Sequence, residues 1–536
     1  MIRKLLALPL LLLAPAAALA QAVPPEAAPI KAHVQFLASD ALRGREAGTR
    51  DFDIAAEYVA SQMLALGLKP AGEDGGWFQK VPLVSYRAGD PGTMQVTRGA
   101  KVEKYTVAVD YMPLATPAMP DLSVSGAMVF AGYGVVDPQT RRDDYKGLDV
   151  RGKIVVLIEG VPEGLSNEVA AHLGDWEAKA HLAELRGAKG VILIESVKEQ
   201  DDTPFEEYAA YWRRDRMDWA SPKGVAHTAS PGAPPFVYFG MKGAEKLFAG
   251  SKVRWADVVA AQRTGKRVPT GALAGTFAGT GKTFVRMLES HNVVGVLEGS
   301  DPALKGQYVV LSAHLDHVGV GGAGKDRIFN GAMDNAIGVA SILEVARRFS
   351  QSGTPPRRSI LFIALTAEEK GLLGSGYFAN YPTVPKDALV ADINLDMPIM
   401  TYPVVDLVAQ GAERSSLGPI VAQAAKEEGL GLVPDPMPEE MFFVRSDHYS
   451  FVQAGIPAVS IDTGPGGEGA VAIKDFLDKH YHQPSDDITL PFNWETAIKF
   501  VGVNYRVARA VADADARPRW NKGDFFGVLF DGYGAK

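Results

Sequence analysis

The chain has 536 residues, and a prior of roughly 100–200 residues per domain predicts two or three domains. Its 47% hydrophobic and 22% charged residues are ordinary for a soluble globular protein. The formal net charge is −8, and no Lys/Arg cluster is long enough to follow a phosphate backbone, so nucleic acid is not expected as a partner. There is no cysteine, which excludes disulfides, thiolate metal ligands and a cysteine nucleophile; any bound metal must use His, Asp and Glu.

The first twenty residues differ from all that follow. Arg3 and Lys4 precede the apolar run Leu5–Leu13, and Ala18-Leu19-Ala20 has the small-x-small pattern of a cleavage site. We predict a signal peptide over residues 1–20, and a periplasmic or secreted protein with no membrane anchor after cleavage. The alternative is an uncleaved anchor, which the apolar run disfavours because spanning a bilayer takes ~18–20 residues.

The predicted structure changes twice along the next part of the chain. Apolar spacing predicts a helix over Asp51–Leu66, within a first domain segment at residues 25–110. Residues 122–258 then predict a separate strand–helix–strand block, and Gly265–Gly281, rich in Gly and Thr, predicts a return linker. The elements of that block are a strand at Ile154–Ile158, a helix at Glu177–Arg186 and a strand at Val191–Ile194.

From Asn292 onward strands alternate with helices. This alternation predicts an α/β fold, a mixed and mainly parallel sheet sandwiched by helices, over residues 280–515, with residues 516–536 as a C-terminal extension. Ligands of such folds bind outside the carboxyl ends of the strands. The predicted strands are Val293–Leu297, Tyr308–Ser312, Ser359–Leu365, Val390–Leu395 and Ala458–Ile461, and the predicted helices are Ala336–Phe349 and Ser416–Glu428.

Five short motifs carry potential metal ligands, and the first follows the predicted strand Tyr308–Ser312. His314 and Asp316 stand two residues apart, so on an extended chain they point to the same side. A carboxylate placed there can hold an imidazole in the tautomer that leaves one nitrogen free for a metal. Taken alone, a structural histidine is the better explanation of this pattern.

The second motif places Asp334 at a loop-to-helix junction, where an N-cap is the simpler explanation. The third is Glu368 and Glu369, just past the predicted strand Ser359–Leu365. Adjacent carboxylates at the end of a buried strand are costly to keep together unless cations neutralise them. A solvated pair of loop carboxylates is the alternative.

The fourth motif ends the predicted strand Val390–Leu395 with Asp396, which suits a metal ligand and equally an Asp that initiates a turn. The fifth surrounds His482, which by itself would be read as an ordinary surface histidine. Tyr481 and Asp486 could buttress its ring.

The set is more informative than its members. Two histidines and three carboxylates, one of them bridging, with one further Glu, match the needs of two zinc ions ~3.5–4 Å apart in a hydrolase.

The order and context of the motifs closely resemble the clan MH zinc aminopeptidases. Relatives of that group include bacterial leucyl-type aminopeptidases, glutamate carboxypeptidases, glutaminyl cyclases and the transferrin receptor ectodomain. The resemblance covers about Ile30–Tyr86 and Ser290–Val511, and it implies a zinc exopeptidase fold. Residues 122–258 resemble the protease-associated domain that one branch of the group carries as an insertion.

The resemblance also implies residue roles. One zinc ion would be held by His314 and Asp396, and the other by Glu369 and His482. Asp334 would bridge the two ions. Glu368 would be the general base, taking a proton from the attacking water and returning it to the leaving amine. Asp316 would be the carboxylate that orients His314.

One position departs from the pattern of the family. Ser446-Asp447-His448 resembles its Ser-Asp-His stretch, but the preceding residue is Arg445, whereas some relatives have a nearby tyrosine that helps to polarise the carbonyl. Arginine cannot act as an acid, but it can bond an oxyanion or a substrate carboxylate. We therefore treat Arg445 as a candidate substrate contact, with a structural ion pair as the alternative, and His448 as structural.

The predicted function is an exported co-catalytic two-zinc aminopeptidase that acts on peptides. Alternatives are a carboxypeptidase, dipeptidase or glutaminyl-cyclase-like relative, and a non-catalytic binding protein on the same scaffold. Arg445 could bind a substrate carboxylate, so the carboxypeptidase and dipeptidase alternatives stay open. The complete set of ligands disfavours the binding protein.

Overall fold

The computed structural model describes residues 23–536, so the predicted signal peptide at residues 1–20 lies outside the described part. Within residues 23–536 no helix has both the length and the apolar character needed to cross a membrane. The helices are α1 (Ala28–Leu37), α2 (Arg50–Ala65), α3 (Asn167–Gly174), α4 (Trp176–Glu184), α5 (Val197–Asp202), α6 (Phe205–Ala209), α7 (Met241–Phe248), α8 (Trp255–Arg263), α9 (Ile337–Gln351), α10 (Leu373–Asn380), α11 (Leu417–Glu427), α12 (His448–Gln453), α13 (Gly469–Lys479), α14 (Trp494–Asp513) and α15 (Phe525–Leu529). The strands are β1 (Lys69–Pro70), β2 (Phe78–Ala88), β3 (Met94–Arg98), β4 (Lys101–Lys104), β5 (Tyr111–Pro113), β6 (Asp121–Phe130), β7 (Val136–Asp137), β8 (Arg142–Asp143), β9 (Ile154–Ile158), β10 (Val191–Ile194), β11 (Arg216–Trp219), β12 (Pro235–Phe239), β13 (Gly271–Leu297), β14 (Tyr308–His314), β15 (Ser359–Leu365), β16 (Leu389–Asn394), β17 (Asp406–Gln410), β18 (Gly431–Leu432) and β19 (Ala458–Thr463).

The main sheet is mixed, with a parallel centre. Its order is β11-β2-β13-β15-β14-β16-β19-β17-β18, and β15, β14, β16 and β19 run parallel to their neighbours in that group. The flanking pairs β2–β13, β13–β15 and β17–β19 are antiparallel. The predicted mixed α/β fold is therefore confirmed, with the parallel pairing concentrated in the centre.

Both faces of this sheet are covered. Successive side chains of a strand point to opposite faces, and in β14 Val309 and Leu311 join one apolar cluster while Val310 joins another. The first cluster includes buried residues of α1, α2, α9 and α14, and the second includes those of α12 and α15. Strands buried on both faces explain why β14 and β15 read as continuous apolar runs. In the predicted C-terminal extension, Trp520 is buried in the second cluster.

A second sheet has its own core. Its order is β4-β3-β13-β6-β9-β10-β12-β5. The alternating faces of β9 again separate two clusters, with Val156 in one and Leu157 in the other. Residues of α7 cover the first face and residues of α4 the second. The identity of residues 122–258 as a protease-associated domain stays a prediction.

The long strand β13 joins the two sheets, pairing with β6 at its start and with β15 at its end. The predicted linker Gly265–Gly281 is therefore wrong from Gly271 onward. The composition of small residues was misleading, because Leu273 and Phe277 are buried in the core of the second sheet. A register shift follows Leu273, and there Gly275 takes a positive φ of 93° that suits glycine.

Candidate metal centre

Three parallel strands bring the predicted ligands to one edge of the main sheet. His314 is the last residue of β14, Glu369 lies in the loop after β15, and Asp396 follows β16 by two residues. Because β14 pairs with both β15 and β16 in parallel, their carboxyl ends meet at the same edge. Asp334 comes from the turn before α9 and His482 from the loop after α13.

The first group of side chains surrounds His314, which is buried. Its Nε2 lies 2.9 Å from Asp396 Oδ1 and 3.2 Å from Asp334 Oδ1. These three residues form a group able to hold a metal ion. Burial opposes protonation of His314, but the nearby carboxylates of Asp396 and Glu368 raise its pKa well above the usual value.

The second group shares Asp334 with the first. His482 Nε2 lies 3.2 Å from Asp334 Oδ2 and 3.0 Å from Glu369 Oε2. The two oxygens of Asp334 thus face different histidines. Although burial opposes its ionisation, hydrogen bonds from His314 and His482 hold the pKa of Asp334 well below its ordinary range. Asp334 is in the position of a bridging ligand.

The donor set fits zinc. Zinc in hydrolases is bound by imidazole nitrogen and carboxylate oxygen, and a tetrahedral ion with bonds of about 2.1 Å keeps neighbouring ligand atoms about 3.4 Å apart. The separations of 2.9–3.2 Å in the two groups are close to that value. The ligand atoms therefore already stand close to the positions that a bound ion would require.

Glu368 faces the same cavity as His314 and Asp396. Burial, together with repulsion from Asp396, raises the pKa of Glu368 well above its usual value, although His314 opposes the shift. The neighbouring Glu369 has its pKa lowered despite burial and the charge of Asp334, because His317 and His482 hydrogen-bond to it. The two adjacent glutamates are therefore electrostatically distinct.

Asp316 lies behind the ligands and is completely buried. Its carboxylate accepts backbone N–H bonds from Glu368 at 3.1 Å and Glu369 at 3.3 Å. The sequence assigned it to His314, but the carboxylate Oδ1 is 4.0 Å from His314 Nδ1, which is beyond hydrogen-bond distance. The ring Nδ1 instead lies 3.1 Å from the backbone carbonyl of Asp316. The residue contacts His314 through its main chain because its side chain holds the glutamate loop.

His317 is a site residue that the sequence reasoning did not single out. It is fully buried, and its Nδ1 lies 2.6 Å from Glu369 Oε1 and 3.9 Å from Asp334 Oδ2. With those two residues it forms a further group whose ligand atoms are close enough to hold a metal ion. His482 lies closer to Asp334, at 3.2 Å, whereas His317 is the closer of the two to Glu369, so His317 is better placed to orient Glu369. Its position three residues after His314 was the available signal.

The turn that carries Asp334 is held by Asp486. The carboxylate of Asp486 accepts the backbone N–H groups of Met333 at 2.8 Å and Asp334 at 3.0 Å. Of the two predicted supports of His482, only Tyr481 contacts the ring, stacking on it with centroids 3.9 Å apart. Asp486 supports the bridging residue instead.

Arg45 ties the first domain segment to this region. Its buried guanidinium donates to the carbonyl oxygens of Leu315 at 2.9 Å, Asn330 at 2.6 Å and Gly331 at 3.1 Å. Burial lowers its pKa to about 10, so the side chain keeps its charge at neutral pH. It therefore supplies a fixed positive charge beneath the carboxylates of the site.

A cavity of about 360 Å³ opens onto both groups. His314, Asp334, Glu368, Asp396 and His482 all line it. Arg445 lines it as well, and its guanidinium pairs with the Glu440 carboxylate at 3.1 Å. The structure thus brings the predicted residues together, with Asp316 behind them and Glu369 next to His482.

Comparison with known proteins adds the family. The model of peptidase family M28 matches residues 292–507, the segment that holds every ligand described above. This segment of the chain is similar to peptidase family M28. The family match confirms the predicted resemblance to zinc aminopeptidases and glutamate carboxypeptidases. It also confirms the expected zinc-dependent peptidase fold.

Individual relatives of the M28 segment carry different activities in their names. A probable leucine aminopeptidase of Aspergillus fumigatus is 29% identical over 217 residues, covering 37% of this chain and 40% of the relative. A probable glutamate carboxypeptidase of Arabidopsis thaliana is 26% identical over 398 residues, covering 64% and 49%. The chain thus spans less than half the length of these relatives.

Among solved structures, a zinc aminopeptidase from Bacillus subtilis is similar at 20% identity, with a TM-score of 0.43 over 94% of this chain and 98% of the other.

Proposed function

We propose that the chain is an exported, two-zinc aminopeptidase that removes N-terminal residues from peptides. The observation that carries the proposal is the position of Asp334, whose two oxygens lie 3.2 Å from His314 Nε2 and 3.2 Å from His482 Nε2. A single carboxylate shared by two histidine-containing groups is the arrangement expected of a two-metal hydrolytic centre. The match of residues 292–507 to a peptidase family makes the peptide bond the expected substrate.

Each residue has a part in this proposal. His314 and Asp396 would hold one zinc ion, Glu369 and His482 the other, and Asp334 both. The bound ions would supply Lewis acidity, which lowers the pKa of water and stabilises negative charge on the carbonyl oxygen. The remaining chemistry is proton transfer.

Glu368 is placed for that transfer. It lines the cavity beside His314 and Asp396, and its raised pKa suits a group that must accept and then release a proton near neutral pH. In the proposed reaction its carboxylate takes a proton from the attacking water as the C–O bond forms. It then gives this proton to the amine nitrogen as the C–N bond breaks.

A carboxypeptidase or dipeptidase is the second candidate, because one observation favours it. Arg445 lines the cavity and could receive a substrate carboxylate. Its guanidinium is already paired with Glu440 and lies over the ring of Phe442, with 44% of the side chain exposed. These contacts favour a structural ion pair, and the aminopeptidase remains the leading proposal.

The decisive experiment compares free and blocked substrates. We expect the purified protein to cleave aminoacyl amides and carboxyl-blocked dipeptides but not amino-blocked dipeptides. Cleavage that survives blocking of the amine and disappears on blocking of the carboxylate would instead assign a carboxypeptidase. Glu368→Gln should lower kcat by about 10²–10⁴-fold, the range of general acid–base catalysis. Unchanged activity in this variant would overturn the role of Glu368.

Metal content tests the two-zinc part independently. Elemental analysis should find about two zinc ions per chain in the active protein. Dialysis against a chelator should abolish activity, and added zinc should restore it. Full activity in protein without metal would contradict the proposal.

A further inference from the structure

The cavity beside the metal-binding groups combines apolar walls with a polar floor. Met397, Ile399, Phe442 and Leu477 line its sides. The floor comes from the end of the sheet, where Ser460 and Asp462 lie two residues apart on β19 and both face the cavity. A cavity with this lining suits a side chain with a long apolar stem and a polar end.

Asp462 lies close to the metal-binding groups. In the parallel pair β16–β19, Asn394 is opposite Ser460, and Asp396 and Asp462 each follow two residues later. On its other side, β17 places Val408 opposite Asp462. Because Asp396 and Asp462 line the same cavity, a group bound at Asp462 can belong to the substrate residue that lies beside Asp396.

Apart from the residues of the proposed metal centre, which include the equally unpaired Glu368, the other carboxylates that line the cavity have protein partners. Asp435 accepts the backbone N–H of Met437 at 2.8 Å. The Glu440 carboxylate pairs with Arg445, and Asp478 pairs with Lys474 Nζ at 2.8 Å. Their charges are thus offset by neighbours that the protein itself supplies.

Asp462 differs from them. Among residues 23–536 the structure gives its carboxylate no hydrogen bond and no ion pair. Burial, with repulsion from Asp396 and Asp435, raises the pKa of Asp462 well above its usual value. A cation at this position would relieve the charge, whereas a purely apolar side chain would remove the remaining water from an unpaired carboxylate at a cost in free energy.

We propose that this cavity binds the side chain of an N-terminal lysine or arginine, with Asp462 pairing to the cationic head. The methylene stem packs against the apolar walls, and the amine or guanidinium replaces the counter-charge that the protein does not provide. This inference rests on the proposed aminopeptidase function, and it makes Asp462 the residue that sets specificity.

The test uses two substrates of nearly equal shape. The amides of lysine and norleucine differ chiefly in the terminal charge, so the ratio of their kcat/KM values isolates its recognition. We expect wild type to favour the lysyl amide. In Asp462→Asn the lysyl-to-norleucyl ratio should fall at least about 30-fold, as for loss of one partner of a buried charge pair.

Asp475→Asn serves as the control. Asp475 lies on α13 outside the cavity and pairs with Lys479, so this variant removes one carboxylate charge without touching the floor. Its lysyl-to-norleucyl ratio should equal that of wild type. Zinc content and thermal midpoint of all three proteins establish that folding and the metal centre are intact.

The outcomes separate the two proposals. If wild type cleaves neither amide, the aminopeptidase function fails. If both are cleaved and Asp462→Asn leaves the ratio unchanged, this inference is overturned while the function stands. A loss equal for both substrates would also overturn it, because it would show that Asp462 serves the α-amine or the metal centre.

Discussion

The carboxylate of Asp316 accepts a hydrogen bond from the backbone amide of Glu368 over 3.1 Å. It thereby fixes the loop after β15 to the end of β14, and so holds the proposed general base relative to His314. Burial raises the pKa of Asp316 to about 6, although the charge of His314 and the backbone N–H bonds oppose the shift. One buried carboxylate connects the two motifs.

Replacing Asp316 by Asn should impair catalysis. An amide presents only one acceptor oxygen, so either Glu368 or Glu369 loses its partner and the loop shifts. We expect kcat to fall by about 10–100-fold, as for other residues that support metal ligands. Steady-state kinetics with an aminoacyl amide would measure this. Asp326→Asn, an exposed change in the neighbouring loop, should have no effect. Equal rates in the two variants would refute the role of Asp316.

Removing Asp334 should affect both metal ions. The carboxylate lies between the two groups, so Asp334→Ala should reduce zinc content from about two ions per chain to one or fewer. His482→Ala removes a ligand of only one group and should leave about one ion. Elemental analysis after gel filtration distinguishes the two. Retention of two ions by Asp334→Ala would exclude a bridging role.

His317 and His482 should differ in their effects. If His317 orients Glu369 from behind, His317→Gln should weaken zinc binding by about 10–100-fold but still allow two ions at saturating zinc. His482→Gln should bind only one zinc ion per chain, even at saturating zinc. Zinc titration with a competing chelator would show both. Loss of one ion in His317→Gln at saturation would instead make His317 a ligand.

Stability should depend on pH through His172. Its Nδ1 lies 2.7 Å from the Tyr449 hydroxyl oxygen, and burial lowers its pKa from 6.5 to about 4. Between these values the unfolded chain binds a proton that the folded chain does not. The stability present above pH 6.5 is therefore lost as the pH falls towards 4.

At pH 5 this loss should amount to at most about 2 kcal/mol. Thermal midpoints at pH 7 and pH 5 would show a smaller drop in His172→Gln than in wild type. An identical drop in both would refute the assignment.

Much of the site could be predicted from the sequence because its signals are local. Four of the five predicted ligands lie just after an apolar strand or beside a helix start, His482 follows the end of α13, and the family resemblance implies how they pair. The error over residues 271–281 arose because glycine and threonine were taken as marks of a linker. The buried apolar residues Leu273 and Phe277 indicate a strand there, although glycine and threonine dominate the composition of the segment.

Partners within the site could not be predicted in the same way. That Asp316 binds the glutamate loop, that Asp486 supports Asp334 and that His317 contacts Glu369 all depend on which loops meet at the sheet edge. A sequence lists the side chains that can accept a hydrogen bond, but the choice among nearby donors is made by distances of a few ångströms.

The sequence by itself therefore determined the α/β alternation, the ligand types and their order, because apolar periodicity and residue chemistry are written in short segments. Only the tertiary structure decided that Asp334 lies between the two histidines and that Asp462 faces the cavity without a protein counter-charge. Both facts arise from strands distant in sequence that pack side by side, which sets the distances that residue types alone leave open.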